Sequence, residues 1–123
     1  MIQGVVNSRL EATLPVQVFG PGGQRVDVTA VIDTGYSGTL SLPMAVITSL
    51  ALSPLASRVV RLADRSRRVL NSYEADVLWD RQKRTLRVLA VEGDPLIGAA
   101  LLKDYTLEAK FVDGGAVPVE VRP

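Results

Sequence analysis

A chain of 123 residues with 47% apolar and 22% charged side chains, and a mean hydropathy of +0.21, has the length and composition of one globular domain around one core. It contains no cysteine and no histidine, which excludes disulfides, thiolate nucleophiles, a Ser-His-Asp triad and metal sites built from thiolate or imidazole. At a net charge of +1, an enzyme made from this chain must run on carboxylates, on a hydroxyl activated by lysine, or on oxygen-only metal ligation. No apolar run approaches the about 18 residues of a membrane span. Met1-Ile2-Gln3-Gly4 lacks the basic start and apolar stretch of a signal peptide, so the expected setting is cytoplasmic, with no membrane partner.

In chain order, Ala12–Phe19 is short and β-prone, Gly20-Pro21-Gly22-Gly23 is a turn signal, and residues 25–33 alternate. They predict a hairpin whose second strand sets Val26, Val28, Ala30 and Ile32 on one face and Asp27, Thr29, Val31 and Asp33 on the other. Thr39-Leu40-Ser41-Leu42 reads as a further short strand. Pro43 suits the first turn of a helix over residues 44–50, where Val46, Ile47 and Leu50 share a face, and Ser53-Pro54 ends it.

Residues 57–62 and 67–80 predict two strands around a tip at Ala63-Asp64-Arg65-Ser66. In the longer strand Val69, Tyr73, Ala75, Val77 and Trp79 share the parity expected to face the core, and Arg68, Ser72, Glu74, Asp76 and Asp80 share the other. Asp80-Arg81-Gln82-Lys83 makes the next turn, residues 84–91 return as a strand, and Gly93-Asp94-Pro95 breaks it. After Leu96-Ile97-Gly98, residues 99–103 form a candidate second short helix. A last hairpin runs from Tyr105 through Asp113-Gly114-Gly115 to Val121. Many short strands, regular turns and one or two short helices predict a mainly β protein, a small closed β barrel, in a single domain over residues 1–123.

The charge is unevenly spread. Residues 58–87 hold nine basic side chains against four acidic ones. Because these charges alternate with apolar residues, they read as the solvated face of a sheet rather than a nucleic-acid footprint.

Val31-Ile32-Asp33-Thr34-Gly35 carries the sharpest chemical signal. It sets a carboxylate at the end of a buried strand, directly before a Thr-Gly turn, where a charge beside an apolar core needs hydrogen bonds or a partner. Asp, Thr and Gly are ordinary turn residues, so the tripeptide alone carries little. Its context carries more. A hairpin leads into it, and some sixty residues later Leu96-Ile97-Gly98 forms an apolar-apolar-Gly element.

This ordered set resembles the retroviral-type, retropepsin-like single-lobed aspartic proteases, and more closely their bacterial and archaeal branch. The resemblance rests on Asp33-Thr34-Gly35-Tyr36-Ser37-Gly38-Thr39-Leu40-Ser41-Leu42-Pro43, on Leu62-Ala63-Asp64, and on Pro95-Leu96-Ile97-Gly98-Ala99-Ala100-Leu101-Leu102, and it spans about residues 12–121. It implies a barrel of the single-lobed acid protease type and a homodimer, since the chain supplies one Asp-Thr-Gly where the chemistry uses two. Asp33 would be catalytic, Thr34 would bond across the two-fold axis, and Gly35 would permit the close approach. Tyr36, Ile97 and Gly98, with the hairpin tip Ala63, Asp64 and Arg65, would belong to the substrate pocket or flap. The substrate would be an extended peptide or protein, and no cofactor or metal is implied.

The chain departs from the retroviral pattern at Ser37 and Ala99, where an acidic residue and an arginine normally support each other, and at Arg65, where glycine is usual. Arg65 keeps open the alternative of a catalytically inactive dimer of this fold that acts as a peptide-binding or scaffolding module. A nucleic-acid-binding barrel using residues 58–87 is a third reading. Glu92 and Asp94 read as turn chemistry rather than metal ligands, Trp79 and Tyr73 as core, and Tyr36 equally as pocket or dimer contact. The apolar C-terminal hairpin, residues 106–112 with 117–121, reads either as an interface sheet or as ordinary core; the resemblance implies that the chain ends build much of the dimer contact, so that loss of residues 117–123 would weaken self-association.

Overall fold

The computed structural model describes residues 1–61 and 64–122. Strands make up 55% of the chain and helix 5%, so the protein is mainly β. β1 (Ile2–Val6), which periodicity did not single out, precedes the predicted hairpin of β2 (Ala12–Phe19) and β3 (Arg25–Ile32). That hairpin is in register from Thr13↔Val31 to Phe19↔Arg25. Its alternation works as the pattern requires: Leu14, Val16, Val18 and Ala30 are buried, while Asp27 and Thr29 face water.

β4 (Leu40–Leu42) leads through Pro43 into α1 (Met44–Ser49), which lays Ile47 and the capping Leu50 on the core. β5 (Ser53–Arg61), β6 (Arg67–Trp79) and β7 (Gln82–Ala90) form a meander, followed by β8 (Leu96–Ile97), β9 (Tyr105–Leu107) and β10 (Ala116–Val121). Ser53-Pro54 opens a strand rather than ending the helix, which stops at Ser49 with Leu50 as its C-cap and Ala51 at a positive φ of 51°.

Six strands close a barrel: β2 pairs with β3, β3 with β8, β8 with β4, β4 with β7, β7 with β6, and β6 returns to β2 through Gln17↔Leu78, Val18↔Val77 and Phe19↔Asp76. Closure removes the exposed edges an open sheet would leave. Leu14, Leu40, Leu42, Val77, Val88 and Ile97 are completely buried, each contributing about 1.5–3 kcal/mol of burial.

Two expectations are corrected and a third is sharpened. Residues 99–103 form turns rather than an α-helix: the Leu101, Leu102 and Tyr105 N–H groups donate to the Gly98, Ala99 and Leu102 carbonyls three residues back, which closes successive turns instead of an i→i+4 ladder. Val69 is 66% exposed, because β6 leaves β7 behind at Ser72 and continues beyond the barrel with only β5 beside it. In the last hairpin Val117 and Val119 are fully buried, and β10 pairs with both β1 and β9. Removing residues 117–123 would therefore take away core rather than only a contact surface. Among the described residues no helix is long and apolar enough to cross a membrane.

Candidate active site

β3 and β4 follow each other in sequence yet are not neighbours in the sheet, because β8 runs between them. β8 is parallel to β3 (Val31↔Leu96, Ile32↔Ile97) and antiparallel to β4 (Leu40↔Ile97). Residues 33–39 must therefore arch over the end of β8. The arch is tied down by backbone bonds: Asp33 N–H to the Ile97 carbonyl (2.9 Å), Gly98 N–H to Thr39 (2.9 Å), Ala99 N–H to Tyr36 (2.8 Å) and Ala100 N–H to Gly38 (3.1 Å). Two glycines make the contact possible. A Cβ on Gly98 would strike the Gly38 carbonyl and the Tyr36 ring, and one on Gly38 would strike the Tyr36 phenol.

Asp33 sits where β3 enters this arch, half-buried. Its Oδ1 accepts the Gly35 N–H at 3.0 Å, and its carbonyl accepts the Tyr36 N–H at 3.1 Å, so the carboxylate is held by the turn that follows it. Thr34 and Gly35 are exposed beside it. Tyr36 is half-buried and donates its hydroxyl to the Leu40 carbonyl at 3.4 Å; burial pushes its phenol up to about 12, keeping it a neutral donor.

Above the arch stands the far end of the β5–β6 hairpin. Its cross-strand pairs, Arg58↔Leu70, Val59↔Val69 and Val60↔Arg68, alternate between faces. Arg58, Val60, Arg68 and Leu70 face inward over the arch, while Val59 and Val69 point to solvent at 65% and 66% exposure. A cavity of about 350 Å³ lies between Asp33 and Tyr36 below and Val60, Arg68 and Leu70 above. A second, of about 390 Å³, continues from it past Tyr36 to Arg58 and Arg87. On the other side of Asp33 a third hollow, of about 650 Å³, is bounded by Thr34, Leu10, Leu107, Ala109 and Phe111.

The sequence-nominated residues thus fall into three groups. Asp33, Thr34, Gly35 and Tyr36 are together in the arch. Asp64 and Arg65 are at the hairpin tip, where Asp64 Oδ1 accepts from the Ser66 N–H (2.9 Å) and hydroxyl (2.6 Å), bonds that hold its carboxyl below the ordinary value. Ala63, nominated with them, lies outside the described residues. Ile97 and Gly98 are the exception to the pocket assignment: Ile97 is fully buried in the core and Gly98 is packed under the arch, so both support the loop from beneath.

Sequence reasoning did not single out Val60, Leu70, Arg58, Arg68 and Arg87 as cleft residues; Arg58 and Arg68 are exposed, as the solvated-face reading expects, and Arg87 is half-buried. One signal was available for Arg87, which interrupts the apolar run Leu86, Val88, Leu89. Comparison of the chain with protein-family models and with curated proteins found no match.

Proposed function

We propose that the protein is an aspartic endopeptidase that hydrolyses peptide bonds with a dyad of Asp33 and the partner subunit's Asp33. The observation that carries this reading is the setting of Asp33: a carboxylate held by its own turn at the end of a barrel strand, opening on a cleft roofed by a hairpin. In a chain without histidine or cysteine, paired carboxylates are the simplest hydrolytic machinery its side chains can supply.

Two carboxylates about 3 Å apart cannot both ionise and so share one proton. The ionised one takes a proton from a water molecule as that water attacks the scissile carbonyl, and the protonated one gives its proton to the carbonyl oxygen. Collapse of the tetrahedral intermediate then returns a proton to the leaving amine. An extended peptide lies between arch and hairpin as an added strand. The dimer contact is assigned to the face around exposed Thr34, where Leu10 and Phe111 expose 54% and 61% of their surface.

Cleavage of a mixed peptide library from about pH 3 to 8, by wild type and by Asp33→Asn, tests the reading. The expected result is a loss of at least about 10²–10⁴-fold in the variant, with sedimentation giving the same oligomer for both. Undiminished cleavage by Asp33→Asn would reject the mechanism. Phe111→Glu should weaken self-association by about 30-fold or more, and activity should fall with it, while the unfolding stability of the monomer, measured at concentrations too low for either protein to dimerise, changes by under about 0.5 kcal/mol. An unchanged dimer would move the contact elsewhere.

The exposed, charged side chain of Arg65 at the hairpin tip, where the resemblance expects glycine, carries one other reading, a peptide-binding module without catalysis. Binding of peptides by both proteins with cleavage by neither would select it.

A further inference from the structure

Arg87 interrupts an apolar stretch of the barrel wall, between Leu86 at 6% exposure and Val88 at 0%, and is itself half-buried. Its Nη1 donates to the Ser72 hydroxyl (2.8 Å) and to the Ala56 carbonyl (3.2 Å), while the Thr39 hydroxyl donates to the Arg87 carbonyl (2.9 Å). The guanidinium is thus fixed in direction by neutral acceptors. Among the described residues the ion pairs are Met1 with Asp80 and Arg25 with Asp27; Glu74 faces Arg87 in register across β6 and β7, yet the two form no ion pair. A partly buried cation costs free energy unless an anion meets it, and a fixed guanidinium with remaining N–H donors suits a carboxylate.

The surroundings select the same chemistry. Arg58, on the inward face of the hairpin, lines the same 390 Å³ cavity, and among the described residues no acidic side chain does. Val60, Leu89 and Tyr36 give it apolar walls, and these three residues also line the cavity that holds Asp33, making one continuous cleft. Among the described residues that line the adjoining cavity, Asp33 is the only acidic one and Arg68 is again basic. Cavities that adjoin along an extended strand take same-face side chains two positions apart.

Resting on the protease reading, we infer that the Arg58–Arg87 cavity is a substrate subsite for an acidic side chain, so that the preferred peptides carry a glutamate or aspartate at one position close to the scissile bond. The side-chain methylenes lie against Val60 and Leu89, and the carboxylate meets the two guanidinium groups.

Peptide pairs that differ only as Glu or Gln at each position test this. Wild type should cleave the Glu member about tenfold or more faster, in kcat/KM, at one position only. The preference should fade as pH drops through the glutamate pKa of about 4.3, because arginine stays charged while the substrate loses its charge. Arg87→Gln should erase the preference. Since Arg87 also holds Ser72 and Ala56, Arg58→Glu, at an exposed position, probes the same field without disturbing those bonds; the new carboxylate offsets the Arg87 charge, so the preference for Glu should disappear. Equal cleavage of Glu and Gln peptides in an Asp33-dependent reaction overturns the subsite and leaves the protease intact. If wild type cleaves nothing, fluorescence anisotropy with the same labelled peptides decides. Glu peptides bound about tenfold more tightly, with the advantage lost in Arg58→Glu, support the acidic subsite while the protease reading fails. Equal or absent binding overturns it.

Discussion

β6 is one continuous strand with two unlike halves. From Tyr73 to Trp79 it is wall: Ala75, Val77 and Trp79 are at most 2% exposed, Trp79 packs edge-on against Tyr105 with ring centroids 5.7 Å apart, and β7 lies alongside. From Arg67 to Leu70 it has β5 as its partner, with Leu70 and Arg68 over the cleft and Val69 in water. The turns at its ends use related chemistry. Arg65 (φ 67°) follows Asp64 at the top, and Arg81 (φ 66°) follows Asp80 (φ 49°) at the bottom. The lower turn is further secured by Asp80, which accepts the Tyr105 hydroxyl at 3.1 Å and the terminal amine of Met1 at 3.0 Å. Asp64 at the top is held by Ser66. The difference teaches that pairing alone makes a strand, but only burial makes it structural; the unburied half is left to act on whatever enters the cleft.

The sharpest way to break the comparison is to truncate both halves. Trp79→Ala should cost about 3–5 kcal/mol in urea unfolding, whereas Val69→Ala should change stability by under about 0.5 kcal/mol. Similar losses at both sites would mean that the upper hairpin is as much a part of the core as the lower. Arg65→Gly has a smaller expected effect. Removing a left-handed non-glycine residue recovers about 1–2 kcal/mol and the added chain entropy of glycine returns about 0.5–1 kcal/mol, so the upper hairpin should be stabilised by up to about 1 kcal/mol. Slower native-state hydrogen exchange at the tip, with the barrel's unchanged, would register it.

The smallest effect concerns Asp64. Its folded-state pKa is depressed, chiefly by the Ser66 hydroxyl and then by the Ser66 N–H, so its contribution is present above the unfolded value near 3.8 and disappears as pH falls through the lower folded value. An NMR titration should place Asp64 below an unfolded aspartate. In Asp64→Asn the acid-induced rise in Ser66 amide exchange should vanish. A normal titration of Asp64 would mean that the tip turn is not held by Ser66 in solution.

Most of the barrel was legible in the chain. β-prone composition located β2, alternation located β3 and the lower half of β6, and Gly-, Pro- and Asp-rich turns located their ends. β1 escaped because only Gly4 and Val6 of its five residues turn inward, and Gly4 owes its place to a close approach of the Thr13 carbonyl that no local pattern records. Val69 escaped because parity says which residues share a face, not whether anything covers that face. The arch was legible as Asp33-Thr34-Gly35 and its attachment was not, since the partners of Tyr36 and Gly38 come from residues 99 and 100.

By itself, then, the sequence determined a cysteine- and histidine-free β protein, with one carboxylate set at a strand end before a tight turn, because composition and period-2 patterning are local properties. Only the tertiary structure decided that β8 runs between β3 and β4 and bends the Asp33 loop into an arch, and that the upper β5–β6 hairpin overhangs it. It alone turned Arg58, Arg68 and Arg87 from apparent surface charges into cleft residues. Those outcomes depend on which distant strands pair and on what lies above each face, and neither is encoded within any single segment.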